Sequence, residues 1–222
     1  MAQSSCISTR NIPSFLALRR NEMKKFDHYF SNHIAVKNES DTVTIVDYYN
    51  PEKGYEYNLR YIFDRKNSSL AITGDFGELV ARNFYNMGEW DTFYNHYTGH
   101  LGYFLEKLLC SSRPVHYYDT DKAKREILNE FFDGADYDDL DFDDEFLLDQ
   151  LFDNFDEDKG FTYILPEAFE RFSEDMEEYE VYEFLSRAGR YVNDVFELYL
   201  DAYKRAYEYL TKEVDDGTTQ NV

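Results

Sequence analysis

Residues 42–80 read TVTIVDYYNPEKGYEYNLRYIFDRKNSSLAITGDFGELV. Three runs in this stretch, TVTIVDYY, EYNLRYIF and SLAIT, are rich in β-branched and aromatic residues, which suit a pleated, half-buried surface. Asn50-Pro51-Glu52-Lys53-Gly54 separates the first pair and Asp64-Arg65-Lys66-Asn67-Ser68 the second. Both separators carry turn residues. The stretch therefore predicts a three-stranded antiparallel meander. After the third run, Gly74-Asp75-Phe76-Gly77-Glu78 places Glu78 three residues beyond Asp75, ahead of an apolar run. That spacing is the capping-box pattern and predicts a helix over about 76–86. The two glycines read as a corner that needs unusual backbone dihedrals. Asp75-Phe76-Gly77 also spells a protein-kinase tripeptide, but no catalytic His-Arg-Asp loop and no phosphate-cradling glycine loop accompany it.

Outward from the meander, the chain is helical in pattern on both sides. Before it, Phe15, Leu16, Met23, Phe26, Tyr29 and Phe30 follow helical spacing from Asn11 onward, with Pro13 in the first turn. After it, residues 89–112 read as helix with a break near Gly99 and Gly102. His96 and His100 stand at i, i+4 there, a spacing that holds metal on a continuous helix. No Glu follows the first His in the zinc-protease manner, and the remaining histidines, His28, His33 and His116, are scattered. Pro114 marks a break, and Asp119 caps a helix running to Phe132. These signals give an α+β fold: an N-terminal helix, a small three-stranded antiparallel sheet, then a mostly helical acidic half. The expected division is an α+β domain over 1–113 and an acidic helical domain or subdomain over 114–222.

The charge is not spread evenly. The chain carries 23 basic and 45 acidic residues, a net of −22. Between Glu130 and Glu183 there are 22 acids and only two bases, Lys159 and Arg171, so this segment alone carries −20. Disordered acidic segments lack aromatics, yet Tyr137, Leu140, Phe142, Phe146, Leu147, Leu148, Leu151, Phe152 and Phe155 interrupt this one. Leu147, Leu148, Leu151, Phe152 and Phe155 follow helical spacing and predict an amphipathic helix with its apolar face buried. A second helix comes after Pro166, with Phe169, Phe172, Met176 and Tyr179 on one face and Glu167, Glu170, Glu174, Glu177 and Glu178 on the other. A last helix is expected from about Tyr179 to Val214, and the tail DDGTTQNV is expected to be disordered. A calcium loop of the EF-hand type fails in register. Placing Gly160 at its sixth position puts Phe155 first, Lys159 fifth and Pro166 twelfth, and Gly134 puts Leu140 twelfth. No metal and no cofactor are expected, and no nucleophile–base pair is visible.

Acidity of this density argues against direct nucleic-acid binding, which rests on neutralising phosphates with Lys and Arg. It calls instead for a basic partner. Rows of helical carboxylates roughly 5–6 Å apart approximate a phosphate backbone on a rigid frame. The residues expected to form that surface are Asp138, Asp139, Asp141, Asp143, Asp144, Glu145, Asp149, Asp153, Asp156, Glu170, Glu174, Glu177 and Glu178. Cys6 and Cys110 match no metal or redox spacing, which fits a reducing compartment. No secretory pattern and no apolar run of membrane-spanning length is present.

Residues 25–112 carry a resemblance. Tyr57-Asn58-Leu59-Arg60-Tyr61-Ile62-Phe63, then Leu70 to Val80 with the Gly-Asp-Phe-Gly-Glu corner, then Tyr103-Phe104-Leu105-Glu106-Lys107-Leu108, resemble small proteins of phages and mobile elements of Gram-positive bacteria. The acidic half lies outside the match. In that context an acidic, aromatic surface looks like the anti-CRISPR and anti-restriction inhibitors. The resemblance implies a non-enzymatic inhibitor of a type II, RNA-guided CRISPR nuclease, working in the bacterial host cytoplasm. The alternative is a phage or bacterial adaptor whose partner docks on the meander and the Tyr103 region. Truncation after Phe132 is expected to tell the two apart.

Overall fold

Side-chain alternation carries through the meander and beyond it. In the computed structural model, which describes residues 25–215 except 55, 86, 174 and 175 and the side chains of 213–215, the strands are β1 (Ile34–Glu39), β2 (Val43–Tyr49), β3 (Leu59–Asp64), β4 (Ser69–Gly74), β5 (Leu79–Arg82) and β6 (Leu108–Ser111). They form one six-stranded antiparallel sheet in sequential order. The expectation of a three-stranded sheet is therefore corrected, although the class remains α+β. The three expected strands are its centre, β2–β3–β4.

Two of the added strands lie where helix was expected. At the corner, Gly74 and Gly77 both take positive φ, 149° and 120°, and the chain turns into a strand. Asp75 does not cap a helix. Its carboxylate accepts the Asn58 backbone N–H at 3.2 Å, and its own N–H donates to Asn58 O at 3.2 Å. Leu79 and Ala81 are then buried while Arg82 is exposed, which is period two, and the Leu79–Arg82 run was too short to separate from a helical one. Residues 89–112 hold two short helices, α1 (Trp90–Tyr97) and α2 (Leu101–Leu105), and then β6 in place of further helix.

By Cα proximity the described residues fall into two compact units, one made of those up to 109 together with those from 198 onward, the other of residues 110–197. The first unit has its core on one sheet face. Val46, Tyr61, Ile72 and Leu79 are register partners across β2–β5 and are all at most 2% exposed. Phe63, Leu70 and Ala81 form the neighbouring row. The C-terminal helix α7 (Asp194–Asp215) contributes Tyr199, Ala202, Tyr203 and Ala206 to this core from Leu198 onward. Tyr203 meets Tyr61, Phe63 and Phe93 edge-on at 4.9–5.4 Å between ring centroids. Its hydroxyl donates to Trp90 O at 2.7 Å, and the Tyr61 hydroxyl donates to Tyr199 O at 2.8 Å. Burial holds both phenols in the protonated, donating form by pushing their pKa values well up. A buried neutral hydrogen bond contributes about 1 kcal/mol. Tyr61→Phe is expected to lower unfolding free energy by about that much, read from urea denaturation.

The second unit holds α3 (Thr120–Phe131), α4 (Phe142–Phe152), α5 (Pro166–Phe172) and α6 (Glu178–Leu185). Two small antiparallel pairs join them, β7 (His116–Tyr118) with β10 (Arg190–Val192), and β8 (Phe155–Asp156) with β9 (Gly160–Phe161). The long helix expected from Tyr179 to Val214 is thus divided into α6, β10 and α7, because Gly189 takes φ +76° and turns the chain. Phe155, expected on the α4 face, belongs to β8. Phe26 and Phe30 are buried in a turn region, while the rest of the helix expected from Asn11, up to Lys24, lies outside the described residues. The expected disordered tail also lies outside them, except for Asp215 at the end of α7. Among the described residues no helix is long and apolar enough to cross a membrane.

Candidate functional site

The acidic unit, residues 110–197, carries 27 acids against 8 bases, a net of −19; the remaining residues carry 18 against 15. A charge of this density on a small unit needs an apolar core to hold it together. Ala123, Ile127 and Leu128 of α3, Leu148 and Leu151 of α4, Ala168 and Phe172 of α5, and Val181 and Leu185 of α6 supply one. Phe131 stacks on Phe172 at 4.2 Å and meets Phe184 edge-on at 5.2 Å. Aromatic pairs of this kind add about 0.5–1.5 kcal/mol each beyond the area they bury.

Helix polarity explains where many of the acids sit. Asp119 caps α3, accepting the Lys122 N–H at 2.6 Å. Asp141 caps α4, accepting from the Asp143 and Asp144 amides at 3.1 and 2.9 Å. Asp143, Asp144 and Glu145 fill the first turn of α4, Glu167 that of α5, and Glu178 and Glu180 that of α6. Carboxylates in a first turn face the positive end of the helix dipole, worth about 0.3–1 kcal/mol each at low salt. Part of the mutual repulsion is offset in this way.

The expected site residues divide by what they touch. Asp141 is a cap. Asp144 is half-buried and paired with Arg171, Nε to Oδ1 at 3.1 Å and Nη2 to Oδ2 at 3.3 Å. Asp149 accepts the Tyr137 hydroxyl at 2.5 Å, and burial with this carboxylate pushes the phenol's pKa up. Asp156 accepts the Asp158 N–H at 2.9 Å inside the β8–β9 turn. These four support the fold. Asp138, Asp139, Asp143, Glu145, Asp153, Glu170, Glu177 and Glu178 are exposed. Glu174 lies outside the described residues. The single acidic helix expected after Pro166 is two helices, α5 ending at Phe172 and α6 beginning at Glu178, so Glu170 and Glu178 do not share one helical face.

Arg171→Met removes the fork on Asp144 and leaves that half-buried carboxylate without this guanidinium. We expect a loss of about 0.5–1 kcal/mol at low salt, shrinking in 0.5 M salt, read from thermal melts.

The sequence places Phe142 and Phe146 among the apolar residues that interrupt the acids, and both lie on the surface. Phe142 and Phe146 are 78% and 55% exposed and stack on each other, centroids 6.3 Å apart and 9° from parallel. The signal was available. They lie one turn apart on the wheel of α4, on a different face from Leu148 and Leu151. Tyr163, Tyr179 and Tyr182 are exposed as well. A groove of about 850 Å³ runs between residues 161–166, α5 and α6, with Glu170 and Glu178 in its lining. Elsewhere, α1 ends at Tyr97 and His100 is the N-cap of α2, so His96 and His100 do not share a helical face. Among the described residues no three His, Cys, Asp or Glu side chains gather as metal ligands. Compared with protein-family models, curated proteins and solved structures, this chain finds no match.

Proposed function

We propose that the chain is a non-enzymatic inhibitor that offers a folded acidic surface to a basic nucleic-acid-binding protein, a type II RNA-guided CRISPR nuclease being the partner the sequence resemblance favours. The observation that carries the reading is the array of exposed carboxylates, eight of the expected site residues among them, on a packed helical unit of net −19. B-DNA carries one charge per about 1.7 Å of axis. A cleft built to neutralise phosphates with Lys and Arg releases its counterions to a surface like this as it does to a duplex. The mechanism is occupancy: while the acidic unit sits in the cleft, guide RNA or target DNA cannot enter, and no catalytic residue is needed. The stacked Phe142 and Phe146 add the aromatic anchors that concentrate binding energy in protein interfaces. The deciding experiment is competition. Guide-loaded nuclease is expected to lose target DNA as this protein is titrated in, with apparent affinity falling steeply between 50 and 200 mM salt. Unchanged DNA binding at low salt would overturn the reading.

The alternative, an adaptor docking through the sheet-bearing unit, has its own support. Phe84 and Tyr85 come just after β5 and are 78% and 91% exposed, and Asn83 donates to the Tyr103 hydroxyl at 2.9 Å. Truncation after Phe132 does not discriminate between the two, since it removes the Tyr199 and Tyr203 contacts on which the sheet core rests. Phe84→Ser with Tyr85→Ser is the cleaner test: an adaptor loses its partner, and an inhibitor acting through its acidic unit keeps it.

A further inference from the structure

We propose that the groove between residues 161–166, α5 and α6 takes an arginine side chain from a basic segment of the partner protein. The assignment rests on the reading of a basic protein partner and names the chemistry by which it is recognised. Tyr163 and Tyr182, 53% and 63% exposed, and the half-buried Phe169 give the groove aromatic walls. Glu170 on α5 and Glu178 on α6 bring carboxylates from two different helices, and Glu178 lies one turn before Tyr182. Among the described residues, no lysine, arginine or histidine is in the lining. Exposed aromatic faces flanked by unneutralised carboxylates are the complement of a guanidinium. It is planar and weakly hydrated, stacks on rings, and donates through a rigid fork to carboxylates. A lysine ammonium is more strongly hydrated and gains less from the same walls. A nucleic acid, being anionic, is repelled from both carboxylates.

The test uses the full chain and three fluorescein-labelled short peptides, alike except for a central arginine, lysine or citrulline. Citrulline keeps the shape of arginine without its charge. By fluorescence anisotropy, the arginine peptide is expected to bind at least about tenfold more tightly than the citrulline peptide, with lysine between them. Tyr163→Ser with Tyr182→Ser is expected to weaken arginine-peptide binding about tenfold. Glu170→Gln with Glu178→Gln should do the same. These four side chains are exposed, and circular dichroism verifies that the fold is kept. Equal binding of the arginine and citrulline peptides, or no effect of the tyrosine pair in a folded variant, overturns the assignment. A nuclease that is inhibited while the peptides are not distinguished sinks the groove alone. Peptide discrimination without any displacement of nucleic acid sinks the inhibitor reading and leaves the groove standing.

Discussion

Changing Asp138, Asp139, Glu145 and Asp153 together to lysine is expected to weaken binding to the guide-loaded nuclease at least about a hundredfold at 50 mM salt. All four side chains are exposed, and none of their carboxylates accepts a helix-capping N–H, bridges to Arg171 or accepts from Tyr137. Each reversal removes one attraction and adds one repulsion, taking the unit from −19 to −11. Exposed charge pairs are worth only a few tenths of a kcal/mol each. Eight such changes sum to about 3 kcal/mol, roughly two orders of magnitude in affinity. The loss should shrink at 300 mM salt, where screening has already weakened the wild-type complex. Stability should move the other way. Crowded carboxylates repel one another, and the relief that four lysines bring outweighs the roughly 0.3–1 kcal/mol lost where Glu145 leaves the first turn of α4, so the melting temperature should hold or rise. A folded variant that inhibits as well as the parent would rule out the acidic surface as the binding face. The pairing of weaker binding with equal or greater stability would mark the acidity as selected for contact and not for folding.

Gly74→Ala is expected to cost about 3 kcal/mol or more of unfolding free energy, measured by urea denaturation. A Cβ at this position would lie 2.1 Å from Asn58 O and 3.1 Å from Leu59 Cα, both backbone atoms that cannot swing away. The backbone also sits at φ +149°, which L residues rarely adopt. Relief would require β3 and β4 to part where Asp75 joins them through Asn58. It would also displace Phe76, whose ring lies against Tyr29, Phe30 and Tyr57 at 5.2, 6.1 and 5.8 Å between centroids. Gly99, between α1 and α2, is the comparison. A Cβ there meets nothing within 4 Å, so Gly99→Ala should stay within about 0.5 kcal/mol of the parent. Equal costs at the two positions would show that close packing at the corner is not what requires glycine.

That corner also shows where local sequence was readable and where it was not. The β2–β3–β4 core was legible because β-branched and aromatic residues alternate there over runs of six or seven residues with turn chemistry between them. The glycines announced an unusual backbone. The direction taken after it was not legible: Asp75 and Glu78 fit a capping box, and LVAR is too short for its period to be read. Only the pairing of Leu70 with Ala81 and Ile72 with Leu79 makes that run a strand. β6 is harder still, since Leu108 and Ser111 are half-buried and Leu109 and Cys110 exposed, leaving no alternation to detect. In the acidic unit, the helix from Asp119 and the apolar stripe of α4 were plain in the sequence, because capping and 3.6-residue periodicity are local.

By itself, then, the sequence determined the concentration of negative charge in one segment, the helices that carry much of it, and the central hairpins of the sheet. These depend on composition and on contacts between near neighbours in the chain. Tertiary structure alone decided that the sheet has six strands, that α7 returns from the far end of the chain to cover its core, and that Asp144 and Asp149 are committed to the fold. It also decided that Tyr163 and Tyr182 face solvent beside the remaining acids. Each of those outcomes turns on which distant residue a side chain meets. Asp144 meets Arg171, Tyr61 meets Tyr199, and no local pattern encodes such meetings.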